Sequence, residues 1–224
     1  MIPNNRNLPN FAQDLVRIHK VITRGLNVGV TRGKEFLDVG FPNQGIQRGF
    51  ADYIQSLRSV LSAHHLGEDE IAFPALKEKL PAAPYGRLAE DHKIIEAALT
   101  LVKASISEVA GANPAAGLGV VMDALKKILR MWTPHMGKEE KFFAERAIGE
   151  VMTPDEQAGL SGSMSKLSQV HAVPPFLVLP FVLFNLDGAD REAMAATLPE
   201  VVIKQLLPID WKEQWSAMRP FLLD

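Results

Sequence analysis

No cysteine occurs among the 224 residues of this chain. Its absence excludes disulfide bonds, iron–sulfur clusters, zinc sites with thiolate ligands and enzymes that use a cysteine nucleophile. A metal ion bound by this chain would therefore have nitrogen and oxygen ligands. Histidine, aspartate and glutamate are the side chains that supply them.

The sequence also lacks a strong net charge and a long apolar run. Its 24 Lys and Arg nearly balance 26 Asp and Glu, and no basic stripe carries interleaved aromatic residues, so we expect no nucleic-acid partner. The most apolar stretch, residues 174–186, contains three prolines and is too short to span a bilayer, so we expect no membrane segment. Residues 1–6 do not begin a charged region followed by an apolar run, which predicts no signal peptide and a cytoplasmic protein.

Apolar residues recur at steps of three and four in separate stretches, which is typical of amphipathic helices. They predict four long helices, over residues 11–26, 46–73, 86–109 and 115–148. No stretch shows the strict alternation that indicates a β-strand, so the predicted fold class is all-α.

Glycine and proline mark the predicted interruptions of these helices. Residues 27–45 hold several glycines and a proline, so we expect a long loop there, of the kind that often serves as a lid. We expect Pro74 to stop or kink the second helix, and Pro134 to kink the fourth helix.

The last third of the chain differs in character. Residues 153–156 combine an N-cap threonine, a first-turn proline and a capping-box glutamate, which predicts a helix start. Frequent prolines beyond it predict short helices. We therefore divide the chain into a four-helix domain, residues 1–150, and a C-terminal extension packed on it, residues 151–224. The aromatic content of the extension suits closing one end of the bundle, shielding a metal ion from water, or forming a homodimer contact.

Two pairs, His64-x-x-x-Glu68 and His135-x-x-x-Glu139, continue the apolar rows of the second and fourth helices. A spacing of four residues puts both side chains on one helix face, about 5–6 Å apart, so they can bind the same ion. Glutamate is almost never fully buried unless it is paired, and an unpaired buried carboxylate costs many kcal/mol. Histidines supply little positive charge at pH 7, so the sequence predicts one or two divalent cations beside the two glutamates.

Three further histidines enlarge this candidate set. His19 and His92 stand alone on the first and third helices, and His65 follows His64. The set offers six or seven ligands, more than the four of a single zinc ion, so two ions bridged by carboxylates fit the count. The residue types leave iron, manganese, zinc and copper open. His171 stands apart in the extension and is better explained without a metal.

These motifs agree in type and order with a known family. They are His19, then His64-His65-x-x-Glu68 followed by Phe73-Pro74-Ala75-Leu76, then Asp91-His92, and then His135-x-x-x-Glu139. Together they resemble the hemerythrin-like, histidine/glutamate cation-binding domain over about residues 10–148. The resemblance implies an up-down-up-down four-helix bundle that holds two non-haem irons.

The resemblance also implies a ligand arrangement. Glu68 and Glu139 would bridge the two irons, with an oxo or hydroxo group as a third bridge. His19 and His64 would bind one iron, and His92 and His135 would bind the other.

The seventh ligand is open between two residues. In the oxygen-carrying members the third helix bears a second histidine one turn after the first, and here that position is Glu96. Some iron-sensing members instead take a ligand from the residue after the second-helix histidine, which here is His65. Helical geometry allows either residue, and we favour His65. Asp69, Glu70 and Glu140 flank the ligands and are expected to face solvent or to bind the ligand imidazoles.

The function implied by the resemblance is that of a di-iron protein that binds or reacts with O2 or a related small ligand, such as peroxide or NO. The missing carrier histidine argues against reversible oxygen carriage and favours redox turnover. The alternative is an iron-responsive or structural helical module whose metal only stabilises the fold. The residues leave open whether the chain is a carrier, a sensor or a redox enzyme.

Overall fold

The computed structural model describes residues 9–224, and every regular element within that range is helical. The predicted all-α class is therefore confirmed for this part of the chain. The segment inspected for a signal peptide, residues 1–6, lies outside the described residues. Among the described helices, none combines the length and the apolar character that crossing a bilayer requires.

Four long helices carry the candidate ligands. The first five helices are α1 (Phe11–Val39), α2 (Gln44–Gly67), α3 (Phe73–Leu76), α4 (Tyr85–Val109) and α5 (Pro114–Phe142). Each of the long ones contacts two others: α1 packs on α2 and α5, and α4 packs on α2 and α5. Their shared interior is a continuous apolar cluster that includes Leu26, Ile54 and Ile128.

The loop predicted over residues 27–45 is wrong, because α1 continues to Val39 and leaves only a short connection before α2. Gly29 and Gly33 are buried where α1 meets other helices. A Cβ atom at Gly29 would lie 2.9 Å from Ile54 Cδ1, and one at Gly33 would lie 2.1 Å from Met122 Sδ. These glycines therefore permit close packing of helices, and no lid exists here.

The end of the second helix also differs from the prediction. Pro74 does not stop the helix: a π-helical turn, Glu68–Ala72, joins α2 to α3. The backbone N–H of Phe73 donates to the carbonyl of Glu68, five residues earlier. A proline ring clashes with the carbonyl four residues before it in a regular helix, and the wider turn accommodates this change. The π-helical turn begins at one of the candidate ligands.

The fourth predicted helix is divided in two. α5 ends at Phe142, and a separate helix, α6 (Glu145–Val151), follows it, so the predicted end at residue 148 is wrong. α5 runs through Pro134 without a break. The kink expected at this proline stays a prediction.

The remaining elements form the C-terminal part. They are α7 (Pro154–His171), α8 (Pro175–Phe184), α9 (Gly188–Ala196), a π-helical segment (Val202–Asp210), α10 (Lys212–Trp215) and a 3₁₀ segment (Ser216–Phe221). The helix start at Thr153 is confirmed, because its side chain and that of Glu156 form a reciprocal capping box. Apart from α7, with 18 residues, each of these elements has ten residues or fewer.

Three of the C-terminal elements, α7, α8 and the 3₁₀ segment, lie against α2. A buried polar link fastens them to the long helices. The Tyr53 hydroxyl donates to Asn185 Oδ1 at 2.8 Å, and Arg24 donates to the same oxygen at 3.0 Å and to the carbonyl of Phe221 at 3.1 Å. The division into two domains at residue 150 stays a prediction.

Candidate metal centre

The structure brings all of the predicted ligand residues into one buried cluster. His19 lies on α1, His64 and His65 on the last turn of α2, Glu68 on the π-helical turn, His92 on α4, and His135 and Glu139 on α5. None of these side chains is more than 5% exposed. His171 lies far along α7 at the surface and takes no part.

The ligand atoms form three overlapping groups, within each of which all of the atoms lie within 4.8 Å of one another. The groups are His19, His64, Glu68 and Glu139; Glu68, His92, His135 and Glu139; and His65, His92 and His135. The two glutamates are shared by the first two groups. Such sharing suits two neighbouring ions rather than one.

The carboxylate of Glu139 spans the cluster. Its Oε2 atom lies 3.2 Å from His19 Nε2, and its Oε1 atom lies 3.2 Å from His135 Nε2. Glu68 is placed similarly, because its Oε2 atom lies 3.4 Å from Nε2 of both His64 and His92. Each carboxylate therefore lies between two histidines of different groups: Glu139 lies between His19 and His135, and Glu68 lies between His64 and His92.

These short contacts do not satisfy the polar atoms as hydrogen bonds would. The buried atoms without a hydrogen-bond partner include His19 Nε2, His64 Nε2, both ring nitrogens of His65, and all four carboxylate oxygens of Glu68 and Glu139. Buried polar groups are normally hydrogen-bonded, and exceptions call for a specific cause. Nitrogen and oxygen atoms that converge without hydrogen bonds between them fit bound cations. Within residues 9–224, the only basic groups within 4.0 Å of the two carboxylates are imidazoles.

The pKa values of the cluster follow from burial and from neighbouring charges. Burial lowers the pKa of His64 and of His65 well below the usual value, and the charges of other histidines act in the same direction, so both are neutral and able to bind a metal at pH 7. Burial and the negative charge of Glu139 raise the pKa of Glu68. For Glu139 itself, burial acts to raise the pKa, but three neighbouring imidazoles outweigh it and lower the pKa well below the usual value.

Carboxylates at the edge of the cluster bind the outer nitrogens of two imidazoles. His92 Nδ1 lies 2.9 Å from Asp69 Oδ1, and His19 Nδ1 lies 3.0 Å from Glu140 Oε1. The expectation that Asp69 and Glu140 contact ligand imidazoles is confirmed, whereas Glu70 is exposed. A carboxylate at Nδ1 holds the proton there and leaves the Nε2 lone pair for a metal.

Asp91 belongs to the Asp91-His92 motif, but the sequence pattern predicts no role for it beside His135. Asp91 is buried, and its Oδ2 atom lies 3.6 Å from His135 Nδ1 and 2.7 Å from Lys138 Nζ. Arg87 is its second cationic neighbour, at 3.4 Å. Asp91 and His135 lie on different helices, so no local spacing in the sequence relates them.

Of the two candidates for the seventh ligand, only His65 lies among the ligand atoms. Its ring stacks on that of His92, with centroids 4.1 Å apart and planes at 15°. Glu96 lies outside the three groups, accepts a hydrogen bond from Ser62, and has a side chain that is 39% exposed. The geometry favours His65.

Aromatic side chains enclose the cluster on two sides. Trp132 is fully buried, with its ring centroid 5.3 Å from that of His19 and 5.9 Å from that of His135. Its Nε1–H donates to Thr23 Oγ1 at 2.8 Å. On another side, the ring of Phe73 stacks on His92 with centroids 5.6 Å apart. These rings keep bulk water from the ligand atoms, which strengthens electrostatic interactions there.

Comparison with known proteins gives one match, to a family that binds cations. Residues 10–147 match the family described as the hemerythrin HHE cation binding domain. No curated protein and no solved structure gives a significant match.

Proposed function

Since the chain belongs to the hemerythrin HHE cation-binding domain family, we propose that it holds two iron ions and reacts through them with O2, peroxide or NO. The observation that carries the proposal is the position of Glu139, whose two oxygens face histidines of different pairs, His19 and His135. A carboxylate so placed can bridge two ions.

The proposed ligand sets follow the three groups of atoms. His19 and His64 bind one iron, and His92 and His135 bind the other, with His65 as the further ligand of the second ion. Glu68 and Glu139 would be shared by the two ions, and the centre would be completed by an oxo or hydroxo group. Nitrogen and oxygen donors without thiolate suit iron, and they also suit manganese, zinc and copper, so the identity of the metal rests on the family.

The chemistry that ferrous ions supply when bound is the transfer of electrons to a small oxidising ligand. The residues of the chain orient the imidazoles that would bind the ions and exclude water from them. Asp69 and Glu140 keep the protons of His92 and His19 on Nδ1, which directs both Nε2 atoms inward. Trp132 and Phe73 exclude water from the cluster.

The arrangement of the four long helices, the cellular location and the oligomeric state are also parts of this proposal. We infer an up-down-up-down bundle of α1, α2, α4 and α5, which the contacts of each helix with two others support. A cytoplasmic location and a homodimer remain predictions from the sequence.

An optical experiment tests the reaction with the ligand. The iron-loaded protein is reduced without air until its visible absorption is lost, air is admitted, and the oxygen is then removed. We expect the absorption to return in air and to persist after removal, because the carrier histidine is replaced by Glu96. Full reversal would favour a carrier or sensor, and the absence of any change with iron still bound would favour a metal that only stabilises the fold.

Two variants make the optical experiment specific. His64→Ala removes a proposed ligand and is expected to abolish the response to air. His171→Ala removes an exposed histidine of α7 and is expected to respond as the unaltered protein does.

A further inference from the structure

The two histidine pairs of the cluster differ in what surrounds them. We call His92 and His135 the α4–α5 subsite, and His19 and His64 the α1–α2 subsite. In the α4–α5 subsite the two Nε2 atoms lie 3.2 Å apart. Two nitrogen ligands at about 2.1 Å from one ion lie roughly 3.0–3.4 Å apart at octahedral or tetrahedral angles. This pair is already spaced for a shared ion.

Carboxylates face the outer nitrogens of both imidazoles in the α4–α5 subsite. Asp69 Oδ1 lies 2.9 Å from His92 Nδ1. Asp91 Oδ2 lies 3.6 Å from His135 Nδ1, a charge contact longer than a hydrogen bond, and Lys138 fixes that aspartate from the other side at 2.7 Å. A carboxylate at Nδ1 makes the imidazole a stronger base and fixes the direction of its ring.

Within the described part of the chain, the α1–α2 subsite has one such contact. Glu140 Oε1 lies 3.0 Å from His19 Nδ1. Among residues 9–224, the only carboxylate within 4.0 Å of a ring nitrogen of His64 is that of Glu68, and it faces the inner nitrogen, Nε2. No carboxylate of the described residues therefore orients the ring of His64 through its outer nitrogen, Nδ1.

A third imidazole also favours the α4–α5 subsite. His65 forms a group with His92 and His135 in which the ligand atoms lie within 4.8 Å of one another. Both ring nitrogens of His65 are buried without a hydrogen-bond partner. The shared glutamates serve the two subsites alike, so the difference in nitrogen ligands and in their carboxylate partners decides which subsite binds more tightly.

We propose, on the premise of the two-metal function above, that the subsites are unequal and fill in order. The α4–α5 subsite takes the first ion and the α1–α2 subsite takes the second. Asp69 is a positioning residue for the first ion through His92, and Glu140 is a positioning residue for the second ion through His19.

Titration of the metal-free protein with Co²⁺ in the absence of air tests the order. The unaltered protein is expected to bind two ions in separate steps, the first at least tenfold more tightly. Asp69→Asn keeps an acceptor oxygen but removes the charge, and it should weaken the first ion by about 10–100-fold, so that the two steps merge. Glu140→Gln should weaken the second ion by a similar factor and move the steps further apart.

Controls separate positioning from a general loss of structure. Asp69 and Glu140 have side chains that are 39% and 35% exposed, so the metal-free variants should keep the helix content of the parent and lose only the stabilisation of His92 or His19 by the removed charge. Glu70→Gln, at the exposed neighbour of Asp69, should leave both steps unchanged. His64→Ala should keep the first step and lose the second, which locates the first ion in the α4–α5 subsite.

The outcomes distinguish this inference from the proposed function. Equal binding of both ions by the unaltered protein, or the same change in both steps for Asp69→Asn and Glu140→Gln, would overturn the unequal subsites and leave the two-metal centre in place. Failure of the unaltered protein to bind Co²⁺ at all would overturn the metal centre itself.

Discussion

His92 and His135 face each other through their Nε2 atoms, 3.2 Å apart in the buried interior. Nδ1 of His92 is held by Asp69, so a proton on either Nε2 atom makes this contact a hydrogen bond between the two rings. A proton fills this place in the metal-free protein. Burial acts to lower the pKa of His92, but Asp69, Glu139 and Glu68 outweigh it and raise the pKa to about 11. A metal ion would replace that proton, so metal binding and proton release are coupled.

Replacement of Glu68 by glutamine is expected to separate metal binding from folding. Burial and the charge of Glu139 raise the pKa of Glu68, so the neutral acid that glutamine mimics is favoured when no metal is bound. Glu68→Gln should change the stability of the metal-free protein by no more than about 1.5 kcal/mol, the worth of one hydrogen bond. It should reduce bound iron to less than half.

Urea unfolding in a chelator and elemental analysis measure the two effects of Glu68→Gln. Glu70→Gln, at an exposed acid two residues away, is the matched control and should behave as the parent in both. Full iron content in Glu68→Gln would contradict the bridging role.

The stability of the metal-free protein is expected to fall as the pH rises from 7 to 9. Burial acts to lower the pKa of His19, but Glu139 and Glu140 outweigh it and raise the pKa from 6.5 to about 9. The folded chain therefore keeps a proton that the unfolded chain has lost in this window. The resulting stabilisation is complete below pH 6.5 and is lost as the pH passes about 9. The raised pKa of Glu68 acts in the same direction.

Urea midpoints in a chelator at pH 7 and at pH 9 check this dependence. The metal-loaded protein should lose less stability over the same range, because the ion has displaced the proton and binds more tightly as the pH rises. Parallel curves with and without metal would count against metal ions at these atoms.

Two glycines on different helices should respond in opposite ways to alanine. A Cβ atom at Gly49 would lie 1.8 Å from the backbone oxygen of Ala217, so Gly49→Ala must push the 3₁₀ segment away from α2 and should cost about 1–3 kcal/mol. At Gly162, within α7, a Cβ atom would meet nothing within 4 Å, and Gly162→Ala should stabilise by roughly 0.5–1 kcal/mol. Thermal unfolding of both variants decides this, and equal midpoints would refute the close packing at Gly49.

The long helices and the cluster could be predicted from the sequence because both depend on the spacing of residues close together in the chain. Apolar rows with a helical period predict where α1, α2, α4 and α5 begin, and a spacing of four places His64 with Glu68 on one face. Because Glu68 and Glu139 continue these apolar rows, they are expected to be buried beside the histidines, which requires the rows to face one shared interior. That these residues bind iron stays a prediction.

The remaining features depend on contacts between distant parts of the chain. Gly33 looks like a loop residue until Met122 is packed against it, so the second half of α1 could not be predicted from local composition. The contact of Asp91 with His135 likewise exists only after α4 has packed on α5. The π-helical turn at Glu68 reconciles Pro74 with a continuing helix, and a sequence pattern does not reveal this geometry.

The iron content of the purified protein tests the central claim most directly. Elemental analysis of protein from iron-supplied cells should give close to two iron ions per chain, and the same for His171→Ala. His64→Ala and Glu139→Ala should each hold clearly less, because one removes a ligand and the other removes a bridge. Protein that holds almost no iron, or a Glu139→Ala variant that still holds two ions, would contradict the account.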